Sequence, residues 1–114
     1  MGMYTECRGW IKLKDIDLTA MDISLKLKKT ENISIRSSQC LSSTTYNIGF
    51  NWSPYIFIGG AIKNYDDDWN KYILFLFNNF EIEDYSIQTR YCEDESWREF
   101  ALHEVQLNVK EVSE

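Results

Sequence analysis

The sequence predicts a single α+β domain in which an antiparallel sheet carries one or two helices on one face. Several short stretches alternate apolar and polar residues, as strands with one wet face do. One longer stretch repeats its apolar residues every three or four positions, which is typical of an amphipathic helix. The 114 residues are 44% hydrophobic, with one proline and five glycines, so we expect one core and no linker within residues 1–114.

The N-terminal segment is predicted to form a strand and then a helix. The strand covers Tyr4–Leu13, and its apolar members are Trp10, Ile11 and Leu13. In the next segment, Asp17 can cap a helix that carries lysines near its C-terminal end. The apolar stripe of this helix comprises Leu18, Met21 and Leu25. Alternation over residues 23–27, followed by a turn, fits a strand as well, and the helix over 17–29 is the favoured interpretation.

The middle of the chain is predicted to be a loop followed by two strands. Arg36–Thr45 is rich in Ser and Thr and is typical of a loop. A short strand follows from the alternation of Tyr46, Ile48 and Phe50, and residues 51–54 turn the chain. Tyr55–Ile62 is a second strand, in which Gly59-Gly60 indicates a bulge or a close approach of two backbones.

The clearest predicted element is a helix over Asp66–Phe80. Asn64 or Asp66 can cap it, and three consecutive aspartates place negative charge at the positive end of its dipole. Its buried stripe is predicted to comprise Trp69, Tyr72, Ile73, Leu76 and Phe80. Alternation then predicts strands over Tyr85–Tyr91 and Val105–Val109, with a charged turn over Cys92–Glu99 between them.

Charge is distributed unevenly along the chain. Residues 1–63 carry eight basic and five acidic residues, whereas residues 64–99 carry three basic and ten acidic residues, within a net charge of −6. An acidic surface suits a positively charged protein partner and repels the phosphates of nucleic acid. We therefore expect a larger basic protein as the partner and no direct nucleic-acid binding. The basic N-terminal half could also pair with the acidic half of a second copy, as a homodimer.

The residue types needed for catalysis or for metal binding do not form a motif. His103 is the only histidine, and the cysteines have neither metal-ligand spacing nor a C-x-x-C pair. Those cysteines are Cys7, Cys40 and Cys92. The aspartates at 66–68 are consecutive, so they cannot all face one ion. We expect a protein that is not an enzyme, has no cofactor and no metal, and keeps three reduced thiols.

The cellular compartment follows from two further features of the sequence. The N-terminus lacks the basic stretch and apolar run of a signal peptide. The longest apolar run, Tyr72–Phe77, is far shorter than the roughly 20 residues that cross a bilayer. With the reduced cysteines, these features predict a soluble, cytoplasmic protein that has no membrane partner.

Two acidic, aromatic segments are the candidate binding residues. Tyr, Trp and Arg are enriched in binding hot spots, and carboxylates around them could form a rim. The alternative is that the tryptophans belong to the core and the acids only solubilise the chain. The candidate residues are Tyr65, Asp67, Asp68, Arg90, Tyr91, Glu93, Asp94, Glu95, Trp97 and Arg98.

At Met3–Glu6 with Ile11–Lys14, and at Ile62–Asp66 with Arg90–Glu95, the chain resembles a family of small uncharacterised proteins from phages and mobile elements. The first part is Met3–Glu6 followed by a strand that ends at Ile11–Lys14. The second is Ile62–Asp66 leading into an aromatic helix, with Arg90–Glu95 after the next strand. About half of the chain is involved; residues 30–54 depart from the pattern, and Cys92 interrupts its Tyr-Glu pair.

The resemblance implies a biological context for the acidic surface. Small acidic proteins of mobile DNA often inhibit host defence enzymes, as anti-CRISPR proteins do, or act as immunity proteins. The partner would then be a defence nuclease complex or a toxin, met in the host cytoplasm. The alternative hypothesis is a small-ligand binder that sequesters a nucleotide signal by using Trp, Tyr and Arg side chains.

Overall fold

The computed structural model describes residues 4–33, 36–48, 52–63 and 68–100, which form five strands, three α-helices and a short 3₁₀ turn. The order is β1 (Tyr4–Leu13), α1 (Ala20–Lys28), the 3₁₀ turn (Lys29–Asn32), α2 (Ser37–Ser42), β2 (Thr44–Asn47), β3 (Tyr55–Lys63), α3 (Asp68–Asn79), β4 (Ile82–Tyr91) and β5 (Arg98–Glu99). The predicted final strand over 105–109 lies outside the described residues. The α+β prediction is confirmed.

The five strands form one antiparallel sheet in the order β2-β3-β1-β4-β5. Strand β1 lies at the centre, so Cys7 faces Gly60 on one side and Thr89 on the other. Helices connect β1 to β2 and β3 to β4, and β1 and β2 are separated by β3. This connectivity is that of a split βαβ sheet.

Alternation along the strands gives the sheet two unlike faces. One face, here called the covered face, packs into the core together with side chains of the helices. Its buried members are Cys7, Ile11, Leu13, Ile56, Ile58, Ile62 and Ile87. The opposite face, here called the open face, is polar and aromatic, and its members are half-buried or exposed. It comprises Glu6, Arg8, Trp10, Lys12, Tyr55, Phe57, Gly59, Ala61, Gln88 and Arg90.

Helix α3 supplies the largest side chains of the core. The predicted stripe is confirmed, since all five of its members are buried: Trp69, Tyr72, Ile73, Leu76 and Phe80. The Trp69 indole nitrogen donates to the Thr5 carbonyl at 2.8 Å, which ties α3 to the central strand. The Tyr72 and Thr44 hydroxyl groups lie 2.8 Å apart. The predicted caps Asn64 and Asp66 lie outside the described residues.

Helix α1 exists as predicted, but its start and its buried face differ from the prediction. The cap is Thr19 rather than Asp17, because Thr19 and Asp22 form a reciprocal capping box. The buried side chains are Ile23 and Leu27. The predicted stripe is therefore wrong: Met21 is 71% exposed and Leu25 is 56% exposed.

Helix α1 has two apolar stripes, Met21–Leu25 and Ile23–Leu27. The buried stripe is Ile23–Leu27, which lies next to Lys26. The Lys26 ammonium group donates to the Asn79 carbonyl at 3.1 Å and lies 5.1 Å from the Phe80 ring centroid. The long aliphatic stem of Lys26 allows its ammonium group to reach the end of α3. This contact is formed in the rotation of α1 that places Ile23 and Leu27 in the core.

The loop predicted over 36–45 is wrong, because this stretch forms α2 and the start of β2. Serine hydroxyls there donate to backbone carbonyls, Ser37 to Glu31 and Ser42 to Ser38, each at 2.8 Å. Such bonds allow a Ser-rich segment to satisfy its own polar groups within a short helix. Strand β2 also begins two residues before the predicted Tyr46, and Phe50 lies outside the described residues.

Two glycines lie where other backbone or side-chain atoms come close. A Cβ added to Gly60 would meet the side chain of Ser43, and next to Gly59 there is open space. The pairing of β1 with β3 is regular at both glycines, so neither the predicted bulge nor the predicted approach of a second backbone is found there. Gly9 was not singled out from the sequence. It has a φ of 150°, and a Cβ there would lie 2.1 Å from the Ser86 carbonyl oxygen, so β1 needs glycine at this position.

Candidate interaction surface

The structure places part of the predicted binding residues on one surface and excludes others from it. Tyr65 and Asp67 lie outside the described residues. Asp68 is the first residue of α3 and is 5% exposed, so it cannot belong to a rim of solvated carboxylates. Its carboxylate is taken into the core at the helix start, which consecutive acids in a sequence do not reveal. The remaining predicted residues lie around the end of β4. Among them the prediction for Tyr91 is wrong, because Tyr91 pairs with Thr5 and so lies on the covered side of the sheet, opposite to Arg90.

Trp97 is the centre of a cluster on the open face. Its ring lies against two guanidinium groups, with its centroid 4.0 Å from Cζ of Arg8 and 4.9 Å from Cζ of Arg90. Each arginine is held by a second partner: Arg8 Nε donates to Gln88 at 3.0 Å, and Arg90 donates to Glu6 at 2.8 Å. Trp97 is half-buried in this position. Cation–π contacts of this kind contribute roughly 0.5–1 kcal/mol each at exposed sites.

The acidic turn, residues 92–96, lies between β4 and Trp97 and presents carboxylates beside that cluster. Glu93 and Glu95 are exposed, and Asp94 is half-buried. The Asp94 amide donates to the Tyr91 carbonyl at 2.9 Å, and its carboxylate lies 3.7 Å from the Arg98 guanidinium. The Arg98 side chain is 78% exposed, so this ion pair is a weak restraint.

The other half of the open face carries an aromatic strip, defined here as Trp10, Tyr55 and Phe57. The Trp10 and Tyr55 ring centroids are 5.8 Å apart, and Tyr55 stacks on Phe57 at the same centroid distance with an interplanar angle of 11°. Phe57 is 39% exposed. Trp10 pairs directly with Phe57 across β1 and β3. Trp10 and Tyr55 are half-buried, so Phe57 contributes the most exposed ring of the strip.

Basic residues flank the aromatic strip along β1. Arg8 and Lys12 are two positions before and after Trp10, so alternation places all three on the open face. Lys12 lies 3.1 Å from the Glu83 carboxylate, and that hydrogen bond and charge raise the pKa of Lys12. Its ammonium group therefore stays charged at neutral pH. The open face therefore combines rings with charges of both signs, of which Lys12 and Arg90 are paired with carboxylates and Arg8 is hydrogen-bonded to Gln88.

The thiols in the core are poorly suited to nucleophilic chemistry. Burial raises the pKa of Cys7 to about 12, with Cys40 as a second cause. Burial also raises the pKa of Cys40 to about 12, with the Asp68 charge as a second cause. Both stay protonated at neutral pH, whereas a nucleophilic cysteine needs its thiolate. Cys92 is exposed at the acidic turn, and all three cysteines are free.

Two further findings concern the part of the chain that the structure describes. No group of three or more His, Cys, Asp or Glu residues is arranged there to hold a metal ion. Within the same ranges, none of the helices combines the length and the apolar character needed to cross a membrane. His103, considered above as a metal or catalytic residue, lies outside these ranges.

Sequence reasoning missed the aromatic strip and the role of Arg8. It assigned Trp10 to the apolar members of β1 because position 10 adjoins Ile11, but the two side chains point to opposite faces. The signal was present in β1 itself, where Glu6, Arg8, Trp10 and Lys12 alternate with Cys7, Gly9, Ile11 and Leu13. The contact of Arg8 with Trp97 joins residues 89 positions apart, and no local pattern predicts such a pair.

Comparisons with known proteins do not indicate what this surface binds. The chain matches no protein-family model, no curated protein and no solved structure.

Proposed function

We propose that this protein is a non-enzymatic inhibitor that binds a larger basic protein through the open face of its sheet and the adjacent acidic turn. The observation that carries the proposal is the composition of that surface. Half-buried or exposed rings lie on two neighbouring strands, a tryptophan is fixed beside them, and carboxylates border the tryptophan. Rings fixed by their neighbours lose little conformational freedom on binding, which favours affinity.

The two parts of the surface would act at different stages of binding. Glu93 and Glu95 are exposed, so their charges attract a basic partner over distance and raise the association rate. Trp97 and Phe57 offer ring surface at short range, so they set the residence time. The hydrogen bond of Arg8 to Gln88 and the ion pair of Arg90 with Glu6 hold the two guanidinium groups against the Trp97 ring, and Glu6 compensates the charge of Arg90.

The nature of the partner follows from charge and from the resemblance described above. A net charge of −6 favours a cationic surface. The resemblance to phage and mobile-element proteins adds the expectation of a counter-defence or immunity role in the host cytoplasm. The partner class is therefore a defence nuclease complex or a toxin, which the protein would block by occupying a basic groove.

The test is a capture from host lysate followed by binding kinetics on the partner recovered. Replacement of Glu93, Asp94 and Glu95 by Gln, Asn and Gln should lower the association rate and flatten its dependence on salt. Trp97→Ala should speed dissociation and cost about 2 kcal/mol or more of binding free energy if it is a hot spot. Surface plasmon resonance across a salt series separates the two effects.

The matched control removes the same charge elsewhere. Asp15→Asn, Glu31→Gln and Glu81→Gln neutralise three exposed carboxylates that lie outside the open face and the acidic turn. This variant should retain more of the wild-type association rate than the acidic-turn variant does. If the two triple variants behave alike, net charge alone steers binding, and the proposed surface is wrong.

A second candidate function is the binding of a nucleotide, and the aromatic strip favours it. A base could stack on Phe57 or Trp10, while Arg8 or Lys12 pairs with a phosphate. Such a protein would sequester a nucleotide signal rather than block an enzyme. Native mass spectrometry of the purified protein would then show a bound nucleotide. Phe57→Ser should abolish that binding, and neutralisation of the acidic turn should leave it intact or strengthen it, which is opposite to the result expected for a basic protein partner.

A further inference from the structure

The outward side of α1 carries apolar side chains that the fold does not use. Met21 is 71% exposed and Leu25 is 56% exposed, and they are four residues apart on the same side of the helix. Ile23 and Leu27, on the opposite side, are the residues that enter the core. Large exposed apolar side chains grouped in this way indicate an interaction surface.

Charged residues lie at both ends of this apolar pair and have opposite signs. Lys28 and Lys29 follow Leu25 by three and four residues, and both are exposed. Asp17 precedes Met21 by four residues and is exposed in the turn before the helix. Along this surface an acidic residue is followed by the apolar pair and then by basic residues. A complementary partner helix would have basic residues opposite the acidic end, apolar residues opposite the pair, and an acidic residue opposite the basic end.

A second copy of α1 presents that complementary pattern when it runs in the opposite direction. If Met21 of one copy lies opposite Leu25 of the other, the end of α1 that carries Lys28 and Lys29 lies beside the partner's turn that carries Asp17, at both ends of the contact. In the antiparallel arrangement the positive end of each helix dipole also lies beside the negative end of the other. A parallel arrangement would place like charges together, which is unfavourable. The charges on this surface thus favour a second copy of α1 in the antiparallel orientation.

We propose that α1 is the interface of a two-fold symmetric homodimer in which the Met21–Leu25 surfaces pack antiparallel. Nine residues of helix span about 13 Å, so this contact is small and the dimer is weak. We expect a dissociation constant on the order of 100 μM. The interface lies on the helical side of the sheet, so it leaves the open face accessible and does not depend on the function proposed above.

The experiment is sedimentation equilibrium of the full-length protein over a wide concentration range. Wild type should shift from monomer towards dimer, and Leu25→Ser should raise the dissociation constant at least tenfold. Phe57→Ser is the matched control, because Phe57 is also a partly exposed apolar side chain but lies on the open face. It should leave the dissociation constant within about twofold of wild type.

A charge exchange tests the antiparallel orientation. Asp17→Lys alone and Lys29→Glu alone should each weaken the dimer, because each places two like-charged pairs across the interface. The double variant should recover most of the wild-type dissociation constant. Circular dichroism at each step establishes that the variants are folded, which Leu25→Ser should be because its side chain is already mostly in solvent.

Three outcomes overturn the proposal. Wild type that remains a monomer at about 1 mM lacks the interface. A dimer unaffected by Leu25→Ser uses another surface, and a double charge variant without recovery excludes the antiparallel pairing. Binding of the monomer to vesicles of phosphatidylglycerol that is lost with Leu25→Ser would assign the surface to an anionic membrane instead.

Discussion

The covered and open faces of the sheet are formed by the same strands, yet they differ in almost every physical property. On β1, Cys7, Ile11 and Leu13 are at most 1% exposed. Arg8 and Lys12 alternate with these residues along β1. Arg8 is hydrogen-bonded to Gln88, and Lys12 forms an ion pair with Glu83. Strand alternation thus separates the residues that hold the fold together from those that are free to bind a partner.

The two faces contribute unequally to the free energy of folding. Buried aliphatic side chains each contribute roughly 1.5–3 kcal/mol relative to exposure. Surface ion pairs such as Lys12–Glu83 contribute about 0–1 kcal/mol, because solvent screens them. Changes on the covered face should therefore alter stability, and changes on the open face should alter binding. The following predictions test that division, beginning with the largest effect.

Leu76→Ala should have the largest effect, because Leu76 is fully buried where α3 packs on the covered face. Loss of its side chain leaves a cavity, and we expect the free energy of unfolding to fall by about 2–5 kcal/mol in a urea titration. Leu25→Ala is the matched control, since it removes the same atoms from an exposed helix position. In dilute solution it should change stability by less than about 1 kcal/mol, and equal effects at both sites would contradict the core assignment.

Gly9→Ala should be the next most destabilising change. The added Cβ would meet the Ser86 carbonyl oxygen and the Ile87 Cα, and both are backbone atoms that cannot turn away. With the positive φ of Gly9, we expect a loss of roughly 1–3 kcal/mol by chemical denaturation. Gly59→Ala is the control, because open space surrounds that position. A Gly9→Ala variant as stable as wild type would show that β1 and β4 lie farther apart.

Stability should decrease at alkaline pH because of the buried thiols. The pKa of Cys7 is raised to about 12 from an ordinary value of 9.0, so the folded protein keeps its proton where the unfolded chain loses it. The contribution is complete below about pH 9 and is lost as pH rises towards 12. Urea titrations from pH 8 to 11 should show this decline. Cys7→Ala should reduce the slope of this decline, because it removes a buried thiol whose pKa is raised.

Phe57→Ser should have the smallest effect on stability, although it removes a whole aromatic side chain. Phe57 is 39% exposed and packs mainly on the Tyr55 ring. We expect a change of about 1 kcal/mol or less in the free energy of unfolding. If the same variant loses partner or nucleotide binding, the division between the two faces is supported. A loss of several kcal/mol in stability would contradict it.

The sequence was sufficient for elements whose patterns are local. The stripe of α3 repeats Trp69, Ile73 and Leu76 at helical spacing and has no competing stripe, so both its type and its buried face were predicted correctly. The alternation of β4 and of Tyr55–Ile62 likewise has one interpretation. These elements show that periodicity predicts a face when only one set of side chains can fill the core.

The failures arise where two interpretations agree with the local pattern. In α1, Met21–Leu25 and Ile23–Leu27 are both apolar pairs at helical spacing, and only the packing of the helix against residues far along the chain shows which pair is buried. In β1, Trp10 and Ile11 are both apolar, and only the pairing of the strands shows which one is buried. Cross-strand contacts such as Arg8 with Trp97 depend on tertiary structure and could not be inferred.

The close approach at Gly9 has a consequence for the accuracy of folding. A slip of β1 by one residue would turn Arg8, Trp10 and Lys12 towards the helices and would expose the aliphatic side chains. It would also bring Arg8 or Trp10 opposite Ile87, at the point where the backbone of β4 leaves no room for a Cβ. A register shifted by one residue would therefore cause a steric clash at this position, in addition to burying the charges of Arg8 and Lys12. Misaligned chains should for that reason dissociate and pair again instead of becoming kinetically trapped.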